Sequence, residues 1–176
     1  MKENTYSEYK TKVSEILLKN KIILTEQEQE SIEIVDFGLN KLEEIGLQIV
    51  TYINTERVCA KELVLFPNQT CPEHLHPSLG NELGKEETFR CRKGIVYLYV
   101  PGEKTSNMKA FIPDTKITVF NEIVLKEGEQ YTIYPDTLHW FQAGPEGAII
   151  SEFSTKSTDE FDIFTDENVV RVRKED

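Results

Sequence analysis

The chain has three histidines, and they fall in two places. His74 and His76 stand in Cys71-Pro-Glu-His-Leu-His-Pro77, and His139 stands in Tyr134-Pro-Asp-Thr-Leu-His-Trp140. Residues i and i+2 of an extended chain share a face, so His74 and His76 can offer two imidazoles to one ion. Glu87 would add an oxygen ligand, and His139 a third imidazole from a distant strand. Such a mixed nitrogen and oxygen set suits Mn, Fe, Co, Ni or Zn, and the lack of a thiolate argues against a closed structural zinc site. An isolated His-x-His pair reads most simply as part of a solvated strand. The acidic cluster that follows it and the lone distant histidine shift the reading to a metal centre.

Two further groups could do chemistry beside that ion. If the strand is already extended at Lys85, then Lys85, Glu87, Phe89 and Cys91 face inward together, and Arg90 and Arg92 face outward. A lysine beside a metal-bound carboxylate can protonate or polarise a substrate oxygen; a solvated loop lysine fits the residues alone equally well. Gly144-Pro-Glu-Gly147 reads as the four-residue loop of a hairpin. Pairing Ala143 with Ala148 would then place Glu152 directly across from His139, with Cβ atoms about 5 Å apart. Phe141 and Ile150 on the same face are apolar, which points Glu152 inward.

Short β-rich runs carry these groups: 47–53, 59–66, 89–100, 117–124, 130–134, 138–143, 148–154 and 169–173, divided by turn residues such as Pro67-Asn68, Lys93-Gly94 and Pro101-Gly102. Many short strands with close turn signals predict an antiparallel sandwich or barrel. Ahead of them, Tyr9, Val13, Ile16 and Leu17 recur at helical spacing, and Thr25 with Glu28 forms a capping box that would start a second, short helix. Residues 32–39 read as a strand and 39–45 as a helical turn ending at Gly46. The expected organisation is a helical extension over residues 1–46, packed on a β-barrel domain over residues 47–176. With 176 residues this is one structural unit with room for a real core.

Acidic residues outnumber basic ones 31 to 20, for a net charge of −11, and the basic residues are scattered. Nucleic acid and anionic membranes are poor partners for that surface. No apolar run is long enough to span a bilayer and Met1–Ser7 lacks the apolar segment of a signal peptide, so the cytoplasm is the expected location. Cys59, Cys71 and Cys91 are odd in number and form no C-x-x-C pair, which fits reduced, buried thiols.

The spacing of Glu87 to Gly94, and of Gly128 to His139, resembles the two boxes of the cupin superfamily. The fold implied is mainly β, the cupin double-stranded β-helix or jelly-roll barrel, here with its N-terminal helical extension. Among Glu82, Glu86 and Glu87, the spacing to Gly94 selects Glu87. Ten residues separate His76 from Glu87 where the usual box has three or four, and the second box lacks its inner glycine. The runs Cys59-Ala-Lys-Glu-Leu-Val-Leu-Phe-Pro67, Cys-Pro-Glu-His-Leu-His-Pro, Lys85-Glu-Glu-Thr-Phe-Arg-Cys-Arg92, Glu152-Phe-Ser-Thr155 and Ser157-Thr-Asp-Glu160 resemble the D-lyxose isomerase family of cupin sugar isomerases, from about residue 24 to the C-terminus. That resemblance implies an aldose–ketose isomerase acting on D-lyxose and D-xylulose, often also on D-mannose and D-fructose. It implies Mn2+ as cofactor, with Co2+, Fe2+ or Zn2+ as substitutes, on His74, His76, Glu87 and His139. Glu152 and Lys85 would be the catalytic residues, a monosaccharide the substrate, and a homodimer the assembly. A metal-dependent cupin dioxygenase and a non-catalytic sugar-binding cupin are the competing readings.

Overall fold

Glycine at position 94 sets the shape of the molecule. It adopts a φ of +77°, and a Cβ there would come within 2.2 Å of the Gly147 carbonyl oxygen, so two backbones touch where two long strands bend together. Those strands are β5 (Glu87–Val100) and β8 (His139–Ser154), antiparallel over almost their whole length. Their register runs Gly94↔Ala148 and then Val96↔Ala143, so residues 144–147 of β8 stand opposite Ile95 alone. The ribbon folds over at this point. Phe89 near one end and Phe141 near the other then meet with ring centroids 5.0 Å apart.

This corrects the hairpin expected at Gly144–Gly147. The chain does not reverse there; Ala143 pairs with Val96 and Ala148 with Gly94, and β8 continues along β5. His139 is opposite His74, and Glu152 is opposite Lys61 and Phe89. The bend nevertheless keeps Phe141, Ala143, Ala148 and Ile150 in one core, which preserves the inward face at both ends.

The computed structural model describes residues 3–171. On one half of the ribbon the strands are β1 (Glu33–Val35), β2 (Leu47–Asn54), β3 (Cys59–Leu65) and β7 (Gln130–Ile133); on the other they are β4 (Thr70–Leu75), β6 (Asn121–Lys126) and β9 (Ile163–Phe164). All named strand pairs are antiparallel, and the two halves close around one apolar core in the jelly-roll manner of the cupin barrel. Helix α1 (Glu3–Lys19) lays Val13 and Leu17 on Ile34, Val50, Val64 and Ile149, on the outside of the first half. Helix α2 (Glu26–Glu30) starts at the expected capping box, with Thr25 N–H donating to Glu28 Oε2 at 2.7 Å and Glu28 N–H to Thr25 Oγ1 at 3.2 Å. No described helix is long and apolar enough to cross a membrane.

Other expectations shift at the edges. Within residues 39–45 the expected helical turn is confined to Lys41–Ile45, where Ile45 N–H donates to the Lys41 carbonyl at 2.8 Å, and the strand read at 32–39 shrinks to β1. The strand read at 117–124 begins only at Asn121, because the Thr118 and Val119 N–H groups donate instead to the buried carboxylate of Glu73. The strand read at 169–173 is irregular over residues 169–171, and its last two residues lie outside the described part. Gln48 on β2 is fully buried, and neither end of its amide has a hydrogen-bond partner among the described residues. Leucine fills a similar volume without that penalty. Gln48→Leu is expected to stabilise the fold by about 1–3 kcal/mol, read as a higher urea midpoint at constant slope; an unchanged or lower midpoint would show that the amide is satisfied.

Candidate metal centre and active site

Strand β4 carries the first two histidines, and its proline aims one of them. The register of β4 against β8 slips between Cys71 and His74, at Pro72, which has no N–H for the ladder. His74 Nδ1 donates to the Pro72 carbonyl at 2.8 Å. His139, at the start of β8, repeats the device, with Nδ1 donating to the Thr137 carbonyl at 2.9 Å. A carbonyl only accepts, so both rings carry the proton on Nδ1 and present a bare Nε2. His76 has its Nδ1 2.6 Å from Asp162 Oδ1, and its Nε2 points to Glu87 Oε1 at 3.3 Å.

One nitrogen from each of the three rings lies within 4.8 Å of the others. Glu87 Oε1 reaches the same place, 3.1 Å from His139 Nε2. That contact is not aligned as a hydrogen bond, so His139 Nε2 is a fully buried nitrogen without a donor. Three imidazoles fixed by their far nitrogens, one carboxylate and an orphaned lone pair are what a divalent cation requires of its surroundings. The residues present fit such an ion.

The electrostatics agree. Burial, with the two neighbouring imidazoles, holds His74 well below the usual histidine range, so it is neutral and able to ligate. Burial and the Lys85 ammonium disfavour charge on His76, but Glu87 and Asp162 outweigh them and raise its pKa to about 9. A proton therefore occupies charge that a metal cation can replace. Glu87 is held well below the carboxylate range: burial opposes this, and Lys85 and His76 overcome it.

The insert between His76 and Glu87 folds back on itself. Gly84 packs so closely that a Cβ would come within 2.1 Å of the His76 carbonyl oxygen, and this delivers Lys85 into the interior. Lys85, Glu87, Phe89 and Cys91 are all buried, as strand parity predicts; Glu82 and Glu86 are exposed. Lys85 Nζ lies 2.8 Å from Glu87 Oε2, 3.2 Å from Glu152 Oε1 and 3.1 Å from Asp159 Oδ1. Glu152 thus joins the cluster through Lys85 rather than by pairing with His139. No described residue hydrogen-bonds to its second oxygen. His74, His76, Lys85, Glu87, Phe89 and Glu152 share the wall of one cavity.

Lys61, Asp159, Asp162 and Arg171 also line that cavity, and the sequence reading assigned them no role. Asp159 is the hub, 2.7 Å from Lys61, 3.1 Å from Lys85 and 3.5 Å from Arg171. Despite full burial, those cations hold it well below the usual range. With three cations already on Asp159, its approach to His76 and Asp162 does not make a second metal site. Lys61 had one visible signal: it shares strand parity with the inward Cys59, Leu63 and Leu65. The others reach the cavity from residues 155–171, whose path across β4 is set by the two-residue β9 and by Thr165 N–H donating to the Glu73 carbonyl.

The chain is 60% identical over 168 residues to the D-lyxose ketol-isomerase of Thermofilum sp. (strain ex4484_79), a match that covers 94% of this chain and 93% of that one. It is 58% identical to the D-lyxose ketol-isomerase of Cohnella laeviribosi, covering 98% and 96%. The chain belongs to the D-lyxose ketol-isomerase family. A third relative, the D-lyxose/D-mannose isomerase of Thermosediminibacter oceani, is 57% identical, with 98% and 97% covered. No family model matches the sequence. Among solved structures, the L-ribose isomerase of Cellulomonas parahominis superposes with a TM-score of 0.74 at 14% identity, over 98% of each chain, which shows a shared fold. Membership of an isomerase family sets aside the dioxygenase and the non-catalytic binding protein.

Proposed function

We propose that the protein interconverts D-lyxose with D-xylulose, and D-mannose with D-fructose, by moving a proton between C1 and C2. The observation that carries this reading is a cation site of three imidazoles and Glu87 that opens, through His74, His76 and Glu87, on a cavity also lined by the Glu152 carboxylate. The names of the relatives support the choice of sugars.

His74, His76, Glu87 and His139 would hold a divalent cation, which would supply Lewis-acid charge to the sugar's oxygens when bound. Glu152 takes the proton from C2 of the open-chain aldose, and the C–H electron pair becomes the C1=C2 bond of an enediol as O1 receives a proton from Lys85. Lys85 recovers a proton from O2 while C2=O forms, and C1 takes the proton back from Glu152. The ketose leaves with both side chains in their starting states.

Mn2+ is the ion we assign, as the resemblance to the D-lyxose isomerase family implies; imidazoles with one carboxylate also accept Co2+, Fe2+ or Zn2+. We place the protein in the cytoplasm, where its three buried, unpaired cysteines stay reduced. We assign a homodimer to it, supported by Tyr52 and Phe153, large side chains left exposed on strands of the first half. Incubating metal-stripped protein with D-lyxose and D-mannose, then adding back Mn2+, tests the reading. Ketose should form only after the addition; no ketose from either sugar with any divalent metal would refute it.

A further inference from the structure

Lys61 on β3 pairs in register with Glu152 on β8, so the two side chains enter the barrel side by side. Both are buried. Lys61 Nζ lies 2.7 Å from Asp159 Oδ2, 2.9 Å from Ser157 Oγ and 3.7 Å from Glu152 Oε1. The segment that supplies Ser157 and Asp159 is itself tied to the end of β2: Ser157 N–H donates to Asn54 Oδ1, and Asn54 Nδ2 donates to the Ser157 carbonyl.

Burying a second lysine carries a large desolvation cost, and charge balance at Asp159 does not require it. Asp159 already has Lys85 and Arg171. Lys85 is divided among three carboxylates, Glu87, Glu152 and Asp159. The ammonium that Glu152 shares with fewer competitors is therefore Lys61, which approaches the same oxygen, Oε1, that Lys85 contacts. Lys85 donates a hydrogen bond to that oxygen and Lys61 attracts it across a longer ion-pair distance, so both charges draw Oε1 toward the lysines and leave Oε2 turned away from them.

We propose that Lys61 is a positioning residue for the isomerisation, one that acts through Glu152 by clamping Oε1 so that Oε2 faces the sugar. This inference rests on the reading of Glu152 as the proton carrier. The charged or titratable groups around Glu152 are Lys61 and Cys59 from β3, Lys85 from the insert before β5, and Asp159 across the two lysines.

The test compares Lys61→Met and Lys61→Arg with Glu152→Gln in the Mn2+-loaded protein, on D-lyxose. Lys61→Met is expected to lower kcat about 100-fold, as a misdirected catalytic group does, with KM and bound Mn2+ unchanged. Lys61→Arg keeps the charge but not the contact geometry; its kcat should fall as well, with KM and bound Mn2+ unchanged. This second variant decides the matter if Lys61→Met does not fold. A parent-like kcat in either variant, or a raised KM or lost Mn2+ that accounts for the lower rate, overturns the inference. If Glu152→Gln turns over lyxose at the parent rate, the reading of Glu152 fails and the role of Lys61 falls with it. If Glu152→Gln is inactive and Lys61→Met keeps the parent kcat, the role of Lys61 alone is wrong.

Discussion

Glu152→Gln is expected to lower kcat on D-lyxose by about 1,000-fold, the scale of losing a positioned general base, while Mn2+ content and the fold are retained. Both halves follow from the geometry. Glu152 is buried, lies 3.2 Å from Lys85 Nζ and has no contact with the three histidines among its polar partners. Its amide analogue keeps the shape and can still accept from Lys85, but it cannot take up a proton from carbon at neutral pH. KM should change little, because in the proposed mechanism the sugar oxygens meet the cation and Lys85 rather than Glu152. Steady-state kinetics beside metal analysis checks this. Lost activity together with lost metal would assign Glu152 to the ion instead.

The second large effect concerns Glu87. Glu87→Gln removes the negative charge at the point where His76, His139 and Lys85 converge. Divalent metal affinity should fall by more than about 100-fold, beyond what is lost when an outer hydrogen-bond partner of a ligand is changed. The metal-free protein should also lose about 3 kcal/mol of stability, the low end for breaking a buried ion pair. The loss stays at that end because Lys85 retains Glu152 and Asp159. Isothermal titration with Mn2+ and urea unfolding of the stripped protein measure the two parts. Unchanged affinity would remove Glu87 from the ligand set, and exposed Glu82 and Glu86 would not replace it.

Much of this centre was legible in the sequence because strand periodicity is local. The i, i+2 spacing of His74 and His76 and the shared parity of Lys85, Glu87, Phe89 and Cys91 depend only on an extended backbone, and the structure buries all six. Glu152 was placed inward by a wrong route. Gly144-Pro-Glu-Gly147 has the composition of a reversal, yet it forms the outside of a bend in a two-strand ribbon, which periodicity along one strand does not reveal. Parity survived because the segment joins two stretches with the same inward face. Asp159, Asp162 and Arg171 were not legible as site residues. Their positions depend on a segment that pairs through two residues of β9 and is tied to Glu33 by Arg171, contacts with no periodic signature. Lys61 was readable in principle, as a lysine on the inward parity of an apolar strand.

The central claim is that a proton, carried by Glu152, passes between C1 and C2. Turnover of D-lyxose in D2O by the Mn2+-loaded protein tests it most directly, with the label located by NMR. Deuterium at C1 of the D-xylulose formed, and at C2 of the recovered D-lyxose, is the predicted result. Complete absence of solvent deuterium, with the label of [2-2H]lyxose moving intact to C1 in both the parent and Glu152→Gln, would contradict it and assign a hydride shift.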